Sequence, residues 1–205
     1  GFGNIGGPKT QEYFYQDGGL RPSFYVTFDG TNKLTYSNDN NLIGGYMRDL
    51  FISWNNDRGI GKATMNIEGR GDYYGNITLT YTIVPNDVKN LKATATYDSI
   101  TLTWDKALGA GYYKLYKYDK ATQNRTLIDG NITGTSYTIT GLEADTEYSY
   151  IMRSAAMSTD GEDKEYTRLS GSLTVRTTPM PDSTELIKAA VIATNGNIVK
   201  MLRVD

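Results

Sequence analysis

Alternation of apolar and polar residues dominates the chain from Ile100 to Tyr150. Leu102-Thr103-Trp104, Tyr113-Lys114-Leu115-Tyr116, Tyr137-Thr138-Ile139-Thr140 and Tyr148-Ser149-Tyr150 repeat a large side chain at every second position. Side chains on a strand point alternately to its two faces, so this period predicts strands buried on one face. Tyr113, Leu115, Tyr137, Ile139, Tyr148, Tyr150 and Met152 are expected to point inward, with Trp104 as core anchor. Leu91 to Ala95 should open this set of strands and Ser172 to Arg176 should close it.

The same period recurs upstream. Ala63 to Glu68 alternates for three pairs and Asn76 to Ile83 for four, and the glycines of Gly69-Arg70-Gly71-Asp72-Tyr73-Tyr74-Gly75 between them suit a turn. This predicts a hairpin with a long loop. Ser23 to Phe28 and Leu50 to Trp54 are further strand candidates, with Pro22 at an edge or a strand start because it cannot donate to a ladder. Val84-Pro85-Asn86-Asp87 reads as a boundary short enough to make a stiff joint. The expected fold class is all-β: two tandem β-sandwiches, residues 8–84 and 86–178, followed by a linker and β-hairpin over 179–205. In that tail two apolar runs, Leu186 to Ala193 and Ile198 to Val204, flank Asn195-Gly196, a strong hairpin signal. It reads as a hairpin that docks on the modules, opens a third domain, or dimerises through its edge.

Composition narrows the chemistry. With 205 residues, the chain can build one or two domains, and 17 tyrosines against 5 phenylalanines suit strands whose rings keep a wet end. There is no cysteine and no histidine, so disulfides, Ser-His nucleophiles and histidine metal ligands are all excluded. The net charge is −2, from 21 basic and 23 acidic residues without a basic run, which argues against a nucleic-acid partner. No apolar stretch approaches the ~20 residues of a membrane span. No catalytic residue, cofactor or metal ligand is assigned.

The order Trp104, Tyr113-x-Leu115-Tyr116, Tyr137-x-Ile139-x-Gly141-Leu142 and Tyr148-x-Tyr150 resembles a fibronectin type III domain. Leu142 stands six residues before Tyr148, the spacing that lets a tyrosine hydroxyl fold back on the turn between two strands. Upstream, Ser53-Trp54-Asn55-Asn56, Gly61-Lys62-Ala63-Thr64 and Gly69-Arg70-Gly71-Asp72-Tyr73-Tyr74-Gly75 resemble a bacterial immunoglobulin-like repeat. Leu42 to Asp49 departs from it, where the repeat is shorter and more polar. Together the resemblances imply non-catalytic spacer or presentation modules of an exported protein on a Gram-positive bacterial surface. The implied location is extracellular, and the nearest partners are other domains of the same polypeptide.

Three stretches are candidates for more. Tyr112, Tyr116 and Tyr118 share one strand face and could stack on carbohydrate or a host surface protein, or simply pack. The acidic loop Ser158 to Glu165 could hold calcium, yet it lacks the ligand spacing of a calcium loop and reads as a solvated hairpin tip. Arg70-Gly71-Asp72 is the tripeptide integrins read, but the repeat's own turn accounts for these residues. Asn76, Asn124 and Asn131 each open an N-x-Thr triplet, which strands rich in Asn and Thr produce by chance. An accessory role beside the catalytic domain of a polysaccharide- or peptidoglycan-degrading enzyme is the remaining alternative.

Overall fold

The alternating pattern folds as strands throughout. The computed structural model describes residues 2–6, 12–28, 32–36, 42–43, 50–70 and 74–182, and every regular element among them is a strand. In chain order these are β1 (Phe2–Gly6), β2 (Glu12–Phe14), β3 (Phe24–Phe28), β4 (Asn32–Tyr36), β5 (Leu42–Ile43), β6 (Leu50–Asn55), β7 (Gly61–Gly69) and β8 (Asn76–Val84). The second half adds β9 (Lys92–Ala95), β10 (Ser99–Thr103), β11 (Tyr112–Tyr118), β12 (Arg125–Ile132), β13 (Ser136–Thr140), β14 (Glu147–Met157) and β15 (Glu165–Arg176). No described helix is long and apolar enough to cross a membrane.

The first half forms two four-stranded sheets, ordered β1-β3-β4-β5 and β2-β8-β7-β6. The expected hairpin is present: β7 and β8 pair antiparallel from Gly61↔Ile83 to Glu68↔Asn76. Its period of two is visible in burial, for Ala63, Met65 and Ile67 are fully enclosed while Lys62 and Glu68 face solvent. Short β2 lies parallel to β8, with Glu12 beside Thr82. Tyr81 reaches from β8 through this core and donates its hydroxyl to the Leu20 carbonyl at 2.8 Å. That bond supplies the partner a buried hydroxyl needs. Pro22 sits just before β3, clear of any ladder, as its missing N–H requires.

The second half is a three-on-four sandwich, β13-β10-β9 against β12-β11-β14-β15. Ile100, Leu102, Leu115 and Met152 are fully buried between the sheets. Each such side chain contributes about 1.5–3 kcal/mol by leaving water. Trp104 lies one residue beyond β10, still buried, with its ring edge-on to Tyr113 at 5.4 Å. The Tyr113 hydroxyl in turn accepts the Ala107 backbone N–H at 2.9 Å. Tyr113, Leu115, Tyr150 and Met152 are buried as expected, whereas Tyr137, Ile139 and Tyr148 are half-buried at the rim. Tyr148 forms the expected corner, its hydroxyl accepting the Glu143 N–H at 3.0 Å.

Two elements differ from the expected pattern. β12 carries no alternation that predicts it: Arg125–Ile132 mixes polar residues with Gly130, and its register against β11 shifts twice. β15 begins at Glu165 rather than near Ser172, so the acidic stretch is mostly a short tip between two long strands. Gly71, Asp72, Leu186 to Val204 and residues 44–49 fall outside the described residues, and with them the tripeptide and the C-terminal hairpin.

Candidate functional site

Two regions bring distant side chains together: the junction of the halves and the outer face of the four-stranded sheet that contains β11. The junction begins at Val84-Pro85-Asn86, where Pro85 is fully buried. Asn86 is held on both backbone groups, its N–H donating to Leu108 O at 2.9 Å and its carbonyl accepting the Ser154 hydroxyl at 2.6 Å. Ala156 of β14 and Tyr166 of β15 belong to the hydrophobic cluster of Leu20, Ile60, Met65 and Ile83. The second half thus lends apolar residues to the core of the first.

The tip of the β14–β15 hairpin completes the seam. Thr159 donates its N–H to Ile60 O at 2.8 Å and its hydroxyl to Asn56 Oδ1 at 2.7 Å. Asn56 turns its amide the other way, to the carbonyls of Ile60 at 3.3 Å and Lys62 at 3.1 Å. Asp160 accepts the Lys62 N–H at 2.5 Å. Close approach requires glycine here: a Cβ on Gly59 would lie 1.8 Å from Thr159 Oγ1, and one on Gly61 2.5 Å from Asp160 Oδ2. Gly61 also has φ +108°, a conformation other residues rarely adopt. On the far side of the hairpin, Arg168 reaches Glu12 at 3.1 Å and Asp87 at 3.3 Å, with its guanidinium 4.9 Å above the Phe14 ring.

Electrostatics follow from these contacts. Burial raises the Asp160 pKa, but the N–H groups of Lys62 and Glu162 and the Ser158 hydroxyl outweigh it, leaving the carboxyl below its ordinary value. The acidic tip therefore spends Asp160 on the junction. Among the described residues, no three acidic groups converge to hold a metal. The solvated-tip reading is right for Glu162 and Asp163, which are exposed, but Thr159 and Asp160 work as a clasp. Sequence reading missed that clasp, although Gly59-Ile60-Gly61, two glycines flanking a core isoleucine, marked one half of it.

The three tyrosines do share the outer face of β11, each half-buried, but they divide in role. Tyr112 donates to Glu165, which also pairs with Lys114 at 2.7 Å. Burial, then the Glu165 hydrogen bond and charge, push the Tyr112 hydroxyl up to about 12. Burial raises the Glu165 carboxyl, yet Lys114 and Tyr112 prevail and hold it low. Tyr112 is thus a cross-strand strut. Tyr116 lies in a row with Leu127 of β12 and Ile151 of β14, and the Arg153 guanidinium stands 5.9 Å from its ring. Within the row Leu127 is 54 % exposed and Ile151 is buried, while Leu169, 45 % exposed, stands beside Arg153 in the neighbouring row. A separate cleft of about 170 Å³, lined by Asn86, Asp87, Lys89, Asp105, Lys106 and Leu108, is smaller than the roughly 300 Å³ at which ligand pockets begin.

Residues 86–171 match the fibronectin type III domain family, and this part of the chain is such a domain. The chain is 38% identical over 79 residues to the tail tube protein gp17.1* of Bacillus phage SPP1. That stretch is 38% of this chain and 27% of the phage protein, so the chain spans about a quarter of its relative. Among solved structures, an Fn3-like protein from Clostridium thermocellum is 28% identical, covering 48% of this chain and 98% of its own, with a TM-score of 0.38. The FN5 domain of Drosophila Lar is 25% identical, covering 47% of this chain and all of its own, with a TM-score of 0.34.

Proposed function

We propose that this chain is a non-catalytic spacer and presentation arm, carried on the outside of a bacterial cell or a virion. The observation that carries the reading is the clasp of Thr159 and Asp160 on Asn56, Ile60 and Lys62, beside a shared apolar core. A seam built from backbone bonds, glycine approach and buried side chains sets one orientation between two modules, which is what an arm needs and a loose tether lacks. A fibronectin type III domain in the second half agrees with a module that holds and positions. The first half is read as an immunoglobulin-like repeat of the bacterial kind, on the motifs from Ser53 to Gly75. Resemblance to a tail tube protein favours display on a phage tail, and the surface-protein resemblance favours the cell wall. Immunogold labelling of producing cells and of released virions separates the two sites.

A second reading is an adhesive module that uses the outer face of the β11 sheet on carbohydrate or a host surface protein. Tyr116 and exposed Leu127 favour it, because they form an apolar row not covered by any described element. Binding of the purified chain to a glycan array and to host-cell surfaces distinguishes the readings. The arm predicts no saturable binding; saturable binding lost in Tyr116→Ala would replace it with the adhesive reading.

A further inference from the structure

We propose that β13 is a pairing edge through which two copies of this chain associate, about a two-fold axis passing Thr138. β13 has β10 on one side and no strand on the other among the described residues. Its register against β10 is unbroken, from Ser99↔Thr140 to Thr103↔Ser136. Trp104 N–H donates to Thr135 O at 3.1 Å, and antiparallel ladders bond at every second pair, so Leu102↔Tyr137 and Ile100↔Ile139 are the bonded pairs. Thr101↔Thr138 is then a non-bonded pair, which brings side chains close; their hydroxyls meet at 2.9 Å. The N–H and C=O groups of Ser136, Thr138 and Thr140 consequently turn to the open side.

This edge has none of the usual guards. Charge, proline and bulges keep natural edges from pairing. In the same module β12 is bulged and carries Arg125 and Asp129, β9 begins with Lys92, and β15 carries Arg168 and Arg176. From Asn131 to Leu142 there is no charged residue and no proline. Ser136-Tyr137-Thr138-Ile139-Thr140 is also self-complementary when reversed about its centre. Thr138 faces Thr138, Ser136 faces Thr140, and Tyr137 faces Ile139 across the axis. The three outward residues of each copy then exchange about six backbone hydrogen bonds. Half-buried Tyr137 and Ile139 of one copy continue the rim of the other's core, an aromatic and β-branched pair that suits neighbouring strands. That self-match selects a second copy over an unrelated peptide. One strand pair is small for an interface, so association is reversible and concentration-dependent.

Sedimentation and amide exchange on the full chain test this directly. With rising concentration the mass should climb from 22.7 kDa toward twice that value. The amides of Ser136, Thr138 and Thr140 should gain protection together, while those of Tyr137 and Ile139 stay protected throughout. Thr138→Lys and Thr138→Glu, at an exposed side chain, should each remove the dimer by setting like charges on the axis, and mixing the two variants should restore it. A mass of one chain at every concentration, or a dimer that both variants leave intact, overturns the proposal. The second result would place the contact elsewhere.

Discussion

Thr159 and Asn56 stand 103 positions apart in the chain, and the hydroxyl of the first donates to the side-chain carbonyl of the second at 2.7 Å. The bond ties the tip of one sandwich to the turn before β7 in the other. Around it, Asp160 holds the Lys62 N–H and Tyr166 enters the core of Ile60. Position, more than strength, is what these contacts supply: a typical hydrogen bond nets about 0.5–1.5 kcal/mol, but three in one place exclude most relative orientations.

Gly59→Ala should open the seam. The added methyl would lie 1.8 Å from Thr159 Oγ1 and 2.2 Å from Asn56 Oδ1, so the clasp must shift while the strands of each half stay paired. Limited proteolysis should then cut near residues 158–164 faster than in the wild type. An unchanged rate would mean that the tip adapts without leaving its seat.

Acid should loosen the same contact. Because the folded-state pKa of Asp160 lies below its ordinary 3.8, the carboxylate's contribution is complete above that value and lost as pH falls through the lower one. In Asp160→Asn this part of the pH dependence should vanish. Comparing thermal unfolding of the two proteins between mildly and strongly acidic buffers checks it, with parallel curves counting against the assignment.

Trp104→Ala should cost about 3–5 kcal/mol, because it empties the centre of the second sandwich. Urea unfolding followed by tyrosine fluorescence reads the loss. A cost below about 1 kcal/mol would remove Trp104 from the core set.

Tyr148→Phe removes the hydroxyl that accepts the Glu143 N–H but keeps the ring at the rim. The expected loss is about 1 kcal/mol, read from the same urea curves. No loss at all would show that water replaces the corner bond without penalty.

Much of the fold was legible because period-two alternation and burial share one cause. Spacing alone placed Tyr113, Leu115, Tyr150 and Met152 inside and Tyr148 at its corner by its distance to Leu142, while Tyr137 and Ile139 stop half-buried at the rim. β12 was hidden because two register shifts against β11 cancel the alternation. The clasp was hidden for a different reason. Thr159 and Asp160 look like any polar turn until the fold brings Gly59 and Gly61 against them. Asparagine, threonine and aspartate at a tip carry no local sign of what they will meet. The tyrosine face was half legible: the shared face of Tyr112, Tyr116 and Tyr118 followed from the strand, but the Glu165 strut on Tyr112 required knowing that β15 starts there.

If the seam holds the arm rigid, the two sandwiches keep one orientation. The chain has no native cysteine, so spin labels at Glu68→Cys and Thr126→Cys, both exposed, report one distance between the modules. Pulsed dipolar spectroscopy should return a single narrow distance distribution that broadens in Gly59→Ala. A broad distribution in the otherwise wild-type chain would contradict the account.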